Sequence, residues 1–341
     1  MITLPQPRTP DPMTAPPLRW GILGTGWIAE RFVEAMHRHT QQRLVAVGSR
    51  SQERGDQFAK EHGAPRAHDS YEALVSDADV DVVYVATPHS EHLANALLAL
   101  EAGRPVLVEK AFTQTLGEAR HLVDAARSSG VAAMEAMWTR FIPSMDIVRQ
   151  LLADGVLGEI ETVYADHGQW FPDDAQHRLF DPALAGGAML DLGVYPVSFV
   201  HFVVGAPGRS LALGTRAFTG VDRQVSAVFG EFANHPHANA LINTTAKAQT
   251  PTRAFVAGDA ATLEIPTFFY GPQPITVTTH DGEKATSAAP IVEGHLALSY
   301  EAAHFATMVA EGRTESDLLP LDETLAVMQT MESLLSELPP A

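Results

Sequence analysis

The sequence predicts an α/β protein: an N-terminal doubly wound parallel sheet, then an α+β domain with a large, mostly antiparallel sheet. Three observations predict it. An apolar run at 18–23 stops at a glycine turn that opens a helical pattern. Strand-like and helix-like segments then alternate with short connections, the pattern of a doubly wound sheet. Beyond residue 159 several strand-like segments follow one another, which implies antiparallel or mixed pairing.

The first element is the strand at 18–23, followed by Gly24-Thr25-Gly26-Trp27-Ile28-Ala29. This run fits G-x-G-x-x-G/A, the turn between a first parallel strand and its helix. The first glycine permits the bend, the second lets backbone approach a pyrophosphate, and the small third residue lets helix pack on strand. The free N–H groups of the helix start then favour an anion. An ordinary glycine turn is the alternative, but a strand before and a helix after favour dinucleotide binding.

A strand at 44–48 and a helix at 52–62 come next, with Ser51 as N-cap and Gly63 just past the end. The tip of this strand is where an adenosine ribose lies. NAD sites usually place an acid there, whereas NADP sites need positive charge for the 2′-phosphate. Ser49, Arg50 and Arg54 occupy the tip, and Glu53 and Asp56 fall in the following helix. NADP is therefore expected ahead of NAD, the alternative being that Arg50 is a solvated loop cation. The third unit ends its strand at Thr87-Pro88-His89, where proline turns the chain at the ligand-binding edge of the sheet. Ser90 is expected to cap a helix running to residue 102. A strand at 105–108 has Glu109-Lys110-Ala111-Phe112 at its tip, Thr115 to Glu118 forms a capping box, and a strand occupies 131–136.

From Trp138 the character changes. A helix at 143–153 precedes a strand at 159–166, and Gly186-Gly187-Ala188 leads into a helix carrying Asp191, Tyr195 and His201. Strands are expected near 211–218, 224–232, 240–247, 253–256, 262–265 and 275–279, with closing helices at 299–310 and 322–338. The expected division is a disordered leader at 1–17, a dinucleotide-binding domain at 18–137, and a substrate and oligomerisation domain at 138–341. The C-terminal helix is free to pack back on the first domain.

Bulk properties narrow the function. A chain of 341 residues, 45% hydrophobic and 19% charged, is of ordinary globular composition and long enough for two domains. The net charge of −18 argues against a nucleic-acid partner, which needs a basic face. With no cysteine, disulfides, thiolate metal sites and cysteine nucleophiles are excluded. No apolar run is expected to reach membrane-spanning length. The proline-rich leader lacks the apolar stretch of a signal peptide, and Met13 offers an alternative start. The default expectation is a cytoplasmic protein.

Two residues stand out for chemistry. Lys110 sits past a buried-type strand at the ligand-binding edge; a plain surface lysine is the alternative. Tyr195 lies four residues after Asp191, so on a helix a phenol and a carboxylate share one face; a buried tyrosine with a satisfied hydroxyl is the alternative. Trp170 and Phe171 precede this helix and can reach a substrate mouth, whereas Asp173 and Asp174 are expected in a solvated loop. Arg140 either binds a substrate hydroxyl or pairs with a nearby acid. His167, His177, His201, His235 and His237 show no metal-ligand spacing, and no metal is expected.

The glycine turn, Thr87-Pro88 with His92 a helical turn on, and Glu109-Lys110-Ala111 resemble the Gfo/Idh/MocA family of NAD(P)-dependent oxidoreductases. The stretches at 134–141 and 191–196 resemble its dimeric dihydrodiol dehydrogenase branch, which includes NADP-linked D-xylose dehydrogenases. The likeness spans nearly the whole chain after Leu18. It implies a Rossmann domain followed by a domain whose sheet is open on one face, a surface that needs a partner. A homodimer or homotetramer through that face follows. It further implies that Lys110 is the family's Glu-Lys-Pro lysine, with Ala111 replacing the proline, and that Tyr195 stands where histidine is frequent. His92 and Glu109 would serve the cofactor site, and Trp138 would line the substrate pocket.

The implied reaction moves a hydride between the nicotinamide and a secondary alcohol or carbonyl of a sugar, cyclic polyol or trans-dihydrodiol. A phenol of ordinary pKa, ~10, is a poor base, and a nearby ammonium favours its anion. Tyr195 is then the general acid/base, with Lys110 tuning it, and Asp191 orients the pocket or binds a second hydroxyl. Two other readings are an NAD-dependent glycosidase of the same fold with no net redox change, and a non-enzymatic NADP(H)-binding sensor.

Overall fold

In the computed structural model, which describes residues 2–340, the chain forms two units. The first comprises residues 10–141 and 292–325, the second residues 2–9, 142–291 and 326–340.

The first unit builds from β1 (Arg19–Leu23), α1 (Trp27–His39), β2 (Arg43–Gly48), α2 (Gln52–His62), β3 (Arg66–His68), α3 (Tyr71–Val75), β4 (Val82–Val85), α4 (His92–Glu101), β5 (Val106–Glu109), α5 (Leu116–Ser129) and β6 (Ala133–Ala136). Every residue of β4, β5 and β6 is buried, which suits a parallel sheet covered by helices on both faces. The order is β3-β2-β1-β4-β5-β6 with all pairs parallel. All carboxyl ends therefore share one edge, and the order reverses between β1 and β4, where such sheets bind ligands.

The expected caps of α2 and α5 are present. Ser51 Oγ accepts from Arg54 N and Gly63 closes α2 at φ 73°. Thr115 Oγ1 accepts from Glu118 N at 3.2 Å, while the Glu118 carboxylate receives the N–H of Gln114. Ser90, expected as a cap, is not one. Pro88 starts a tight 3-10 turn over His89–Glu91, so α4 begins at His92 and Ser90 Oγ is left buried without a partner. The edge strand β3 escaped the sequence because Arg66, Ala67 and His68 are only half-buried and carry no apolar run.

The second unit contains α6 (Pro143–Ala153), β7 (Ile160–Gly168), α7 (Val194–Val204), β8 (Arg209–Arg216), β9 (Asp222–Gly230), β10 (Asn239–Thr245), β11 (Ala254–Gly258), β12 (Ala261–Ile265), β13 (Thr276–Thr279) and β14 (Lys284–Thr286). Its sheet runs β14-β13-β12-β11-β7-β10-β9-β8, parallel only between β7 and β10. The short polar β14 was not expected from sequence. A π-helical turn over Met189–Gly193 leads into α7, which packs against β7 and β10. Asp222 anchors that turn: its carboxylate accepts from Met189 N at 2.6 Å, and burial pushes it up to about 6.

One expectation is corrected here. Pro182–Val204 is long and apolar enough to cross a membrane, although no such run was foreseen; nearly all of it is buried inside the protein, as in a core helix. The opposite face of the sheet carries a row of facing residues, Leu211, Val228, Leu241, Tyr164 and Phe255. Leu211, Val228 and Leu241 are exposed, as is Leu213 at 82%, and Tyr164 stacks on Phe255 at 5.4 Å.

The chain then re-enters the first unit with α8 (Leu298–Ala310) and the first turn of α9 (Leu321–Ser336). Phe305 of α8 meets Trp20 at 5.6 Å, Trp20 meets Phe32, and Phe32 stacks on Tyr84 at 4.0 Å. The units therefore differ from the expected segments 18–137 and 138–341, because this aromatic core needs a helix far along the chain. The leader is corrected likewise, except for Met1, which lies outside the described residues. Pro12–Thr14 forms a 3-10 turn capped by Asp11, Ala15 is buried against Ala303 and Ala306, and Gln42 donates to Pro16 O. Residues 2–9 join the second unit, where Arg8 N donates to Asp146.

Candidate functional site

The carboxyl edge of the first sheet gathers most of the expected cofactor residues. Gly24 turns at φ +106°, and a Cβ there would sit 2.6 Å from Ala86 O, so only glycine lets β1 run this close to the β4 tip. At Gly26 a Cβ would meet nothing within 4 Å, which leaves its backbone open to a ligand. Gly26 also begins α1 without any side-chain cap, so the helix N–H groups are uncommitted to a capping side chain. A pyrophosphate fits this arrangement. Thr25 and Ile28 are half-buried beside it, and Trp27 is exposed.

At the β2 tip, Ser49 is buried and its hydroxyl accepts from Ser51 N, so it shapes the loop. Arg50 and Arg54 are exposed. Burial raises the Tyr71 phenol, and Arg50, hydrogen-bonded to it, opposes that rise. At the β4 tip, Asn95 donates to Thr87 Oγ1, and Pro88 leads into the turn of His89. His92 is fully enclosed, with Nδ1 3.0 Å from Ala111 O and Nε2 2.8 Å from Thr87 O. It thereby ties the β4 tip to the β5 tip, and burial pushes its imidazole below the usual value. His89 Nε2 lies 3.3 Å from Lys110 O.

The β5 tip is held from beneath. Glu109 is buried, takes a short hydrogen bond from the Tyr84 hydroxyl, and accepts from Lys110 N at 3.1 Å. The Lys110–Ala111 peptide bond is cis. Trp138, 4% exposed, stacks on His295 at 5.7 Å, and His295 also meets the edge of Trp27 at 4.9 Å. An imidazole from the returning segment thus links the glycine turn to the expected pocket tryptophan. Arg140 is buried and pairs with Glu323, the second of its two expected roles.

In the second unit Tyr195 stands at the start of α7, 9% exposed, stacked on Tyr270 at 4.5 Å with His167 at 5.5 Å. Asp191 lies in the π-helical turn, so the i, i+4 spacing used to pair it with Tyr195 does not describe its winding. Its carboxylate is gripped by Arg178, whose Nη1 and Nη2 lie 3.0 to 3.1 Å from the two oxygens. Trp170 is 62% exposed at an isolated bridge to Lys247, and Phe171 packs against the Leu179 and Phe180 cluster. Asp173, expected to be merely solvated, pairs with Lys247 at 2.7 Å.

Arg178, Tyr270 and His295 were not singled out in the sequence, and His167 was weighed there only as a metal ligand. His167, Tyr270 and His295 come from segments distant along the chain, Arg178 from a 3-10 turn 13 residues before Asp191, and none sits in a motif with local spacing.

Comparison with known proteins agrees with this architecture. Residues 18–137 match the model of the oxidoreductase family with an NAD-binding Rossmann fold, and residues 145–264 match the GFO/IDH/MocA C-terminal domain. The chain is 34% identical to trans-1,2-dihydrobenzene-1,2-diol dehydrogenase of Bos taurus, over 93% of this chain and 96% of that one. It is 36% identical to D-xylose 1-dehydrogenase (NADP(+)) of Hypocrea jecorina, covering 94% and 92%. Its fold is similar to that of a 3-ketoreductase from Actinomadura kijaniata solved with NADP and TDP-benzene, with TM-score 0.83 at 24% identity, covering 95% and 98%. With both domain models matched and relatives aligned over nearly its full length, this chain belongs to the Gfo/Idh/MocA family of oxidoreductases.

Proposed function

We propose that the protein is an NADP-dependent dehydrogenase or reductase acting on a secondary alcohol or carbonyl of a sugar, cyclic polyol or trans-dihydrodiol. The observation that carries the reading is the shared carboxyl edge of the first sheet, with Gly24 and Gly26, Arg50, His89 and Lys110 on four strand tips. The uncapped start of α1 suits a pyrophosphate, and the exposed Arg50 and Arg54 supply positive charge for a 2′-phosphate. The relatives named for a dihydrobenzenediol and for D-xylose with NADP(+) support the substrate class and cofactor.

When bound, the nicotinamide supplies hydride chemistry. In this reading Tyr195 takes the proton from the substrate hydroxyl during oxidation and returns it during reduction. Lys110 holds the substrate oxygen and favours the phenolate. Asp191, fixed by Arg178, accepts from a second hydroxyl, while Tyr270 stacks on the Tyr195 ring and steadies it. Trp138, Trp170 and Phe171 complete the substrate surroundings. The second unit is assigned to substrate binding and, through the row from Leu211 to Phe255, to a homodimer or homotetramer.

The test is a paired NAD and NADP titration by tryptophan fluorescence, then absorbance assays over sugars, polyols and dihydrodiols. Tyr195→Phe and Lys110→Met should bind NADP as wild type does yet lose most turnover. Full turnover in Tyr195→Phe removes the proposed acid/base. Release of glycoside products without absorbance change replaces the reading with the glycosidase one.

A further inference from the structure

The first unit buries three carboxyl groups near enough to act on one another's charge. Glu109 at the end of β5 is 5% exposed, Glu135 in β6 is 3% exposed, and Glu301 in α8 is 0% exposed. Their hydrogen bonding is unequal. Glu109 receives the Tyr84 hydroxyl and Lys110 N–H. Glu135 receives the Thr324 hydroxyl at 2.9 Å and the Phe112 N–H, with Arg140 nearby and itself paired to Glu323. Neither oxygen of Glu301 has a hydrogen-bond partner.

In a dry interior, charge concentrates on the carboxylates that receive donors, and the group without donors keeps its proton. We propose that Glu301 is a positioning residue for the Glu109–Lys110 tip: it is the member of the cluster that carries the proton, which allows Glu109 to remain an anion and hold the backbone of Lys110. The idea rests on the reading of that tip as part of the catalytic centre. Burial, then the charges of Glu109 and Glu135, push Glu301 well above its ordinary value of 4.5, and burial pushes Glu135 to about 7. An acid buried in this way costs stability whenever it ionises, so a neutral isostere should do better at alkaline pH.

The variant is Glu301→Gln, which keeps the size and removes the titration. The first measurement is infrared spectroscopy in the carbonyl region at about pH 8, above the value of about 7 to which burial pushes Glu135. Wild type should show the band of a protonated carboxylic acid, Glu301→Gln should lack it, and Glu301→Asp should shift it. The second is unfolding against pH. Wild type should lose stability relative to Glu301→Gln as pH rises from the ordinary glutamate range toward the alkaline side. The third is the pH profile of kcat/KM, whose alkaline fall should move up by about one pH unit or more in Glu301→Gln. A merely structural acid would leave that profile in place.

An unchanged band in Glu301→Gln, or parallel unfolding curves, overturns the assignment of the proton. A lost band with an unmoved pH profile overturns the positioning role. If Glu301→Gln does not fold, the wild-type band is followed directly; its absence at about pH 8 overturns the proposal. The first two measurements need no turnover. Should they succeed while Lys110→Met stays fully active, it is the catalytic reading of the tip that fails.

Discussion

Breaking the Arg178–Asp191 pair tests whether Asp191 is held ready for substrate. Asp191 is 7% exposed, and the Arg178 side chain is 56% exposed, so the pair sits at the boundary of protein and solvent. Hydrogen bonds to a charged group contribute about 1.5–3 kcal/mol each, and exposure of the arginine places this pair at the low end. Arg178→Met keeps the chain length and removes the donors, leaving a buried carboxylate without this cation. A loss of about 1.5 kcal/mol in the transition state is about a tenfold fall in kcat/KM. Asp191→Asn should lose a similar amount, because the arginine then faces a neutral amide.

The decisive measurement is the double variant, read through kcat/KM on the best substrate with thermal unfolding as a fold control. If the two groups act as one device, the double variant should be little worse than either single one, a coupling of about 1–2 kcal/mol. Effects that add within about 0.5 kcal/mol would refute the argument. Arg178 would then be a surface cation that happens to point at the acid.

Three further outcomes are expected. Gly26→Ala should fold normally, since its Cβ meets nothing, yet weaken NADP binding at least about tenfold, whereas Gly24→Ala should lower the melting temperature as well because its Cβ meets Ala86 O; calorimetry of both reads this. Asp222 binds its proton more tightly folded, at about 6, than at the ordinary 3.8, so its contribution is complete below 3.8 and is lost as pH rises through about 6. That amounts to about 3 kcal/mol, and urea unfolding of Asp222→Asn from pH ~4 to ~7 should lack this fall. Leu213→Lys with Leu241→Glu should leave a folded monomer by light scattering if the open sheet face joins subunits, and an unchanged mass would exclude that face.

The legible parts of the site were those with local grammar. The glycine turn, Thr87-Pro88 and Glu109-Lys110 lie at strand ends, where a few neighbouring residues dictate both backbone and chemistry. Ser90 misled because a proline two residues earlier tightened the turn. Asp191 misled in its spacing because a π-helical turn has no periodicity that a short apolar stretch reveals. His295 had no local signal at all, since it acquires its role only by meeting Trp27 and Trp138, and Arg178 reaches Asp191 across 13 residues of irregular turns that carry no readable period.

What the sequence by itself determined is the alternation of buried strands and amphipathic helices, the bend at Gly24, and the positions of Lys110 and Tyr195 in their elements, because each follows from backbone sterics or periodicity within one turn or strand. The tertiary structure alone decided that α8 and the first turn of α9 return to the first unit, that Ala15 of the leader packs against α8, and that Glu109, Glu135 and Glu301 are buried near enough to act on one another's charge. Those outcomes depend on which distant surfaces exclude water together, a quantity that no short window of residues contains.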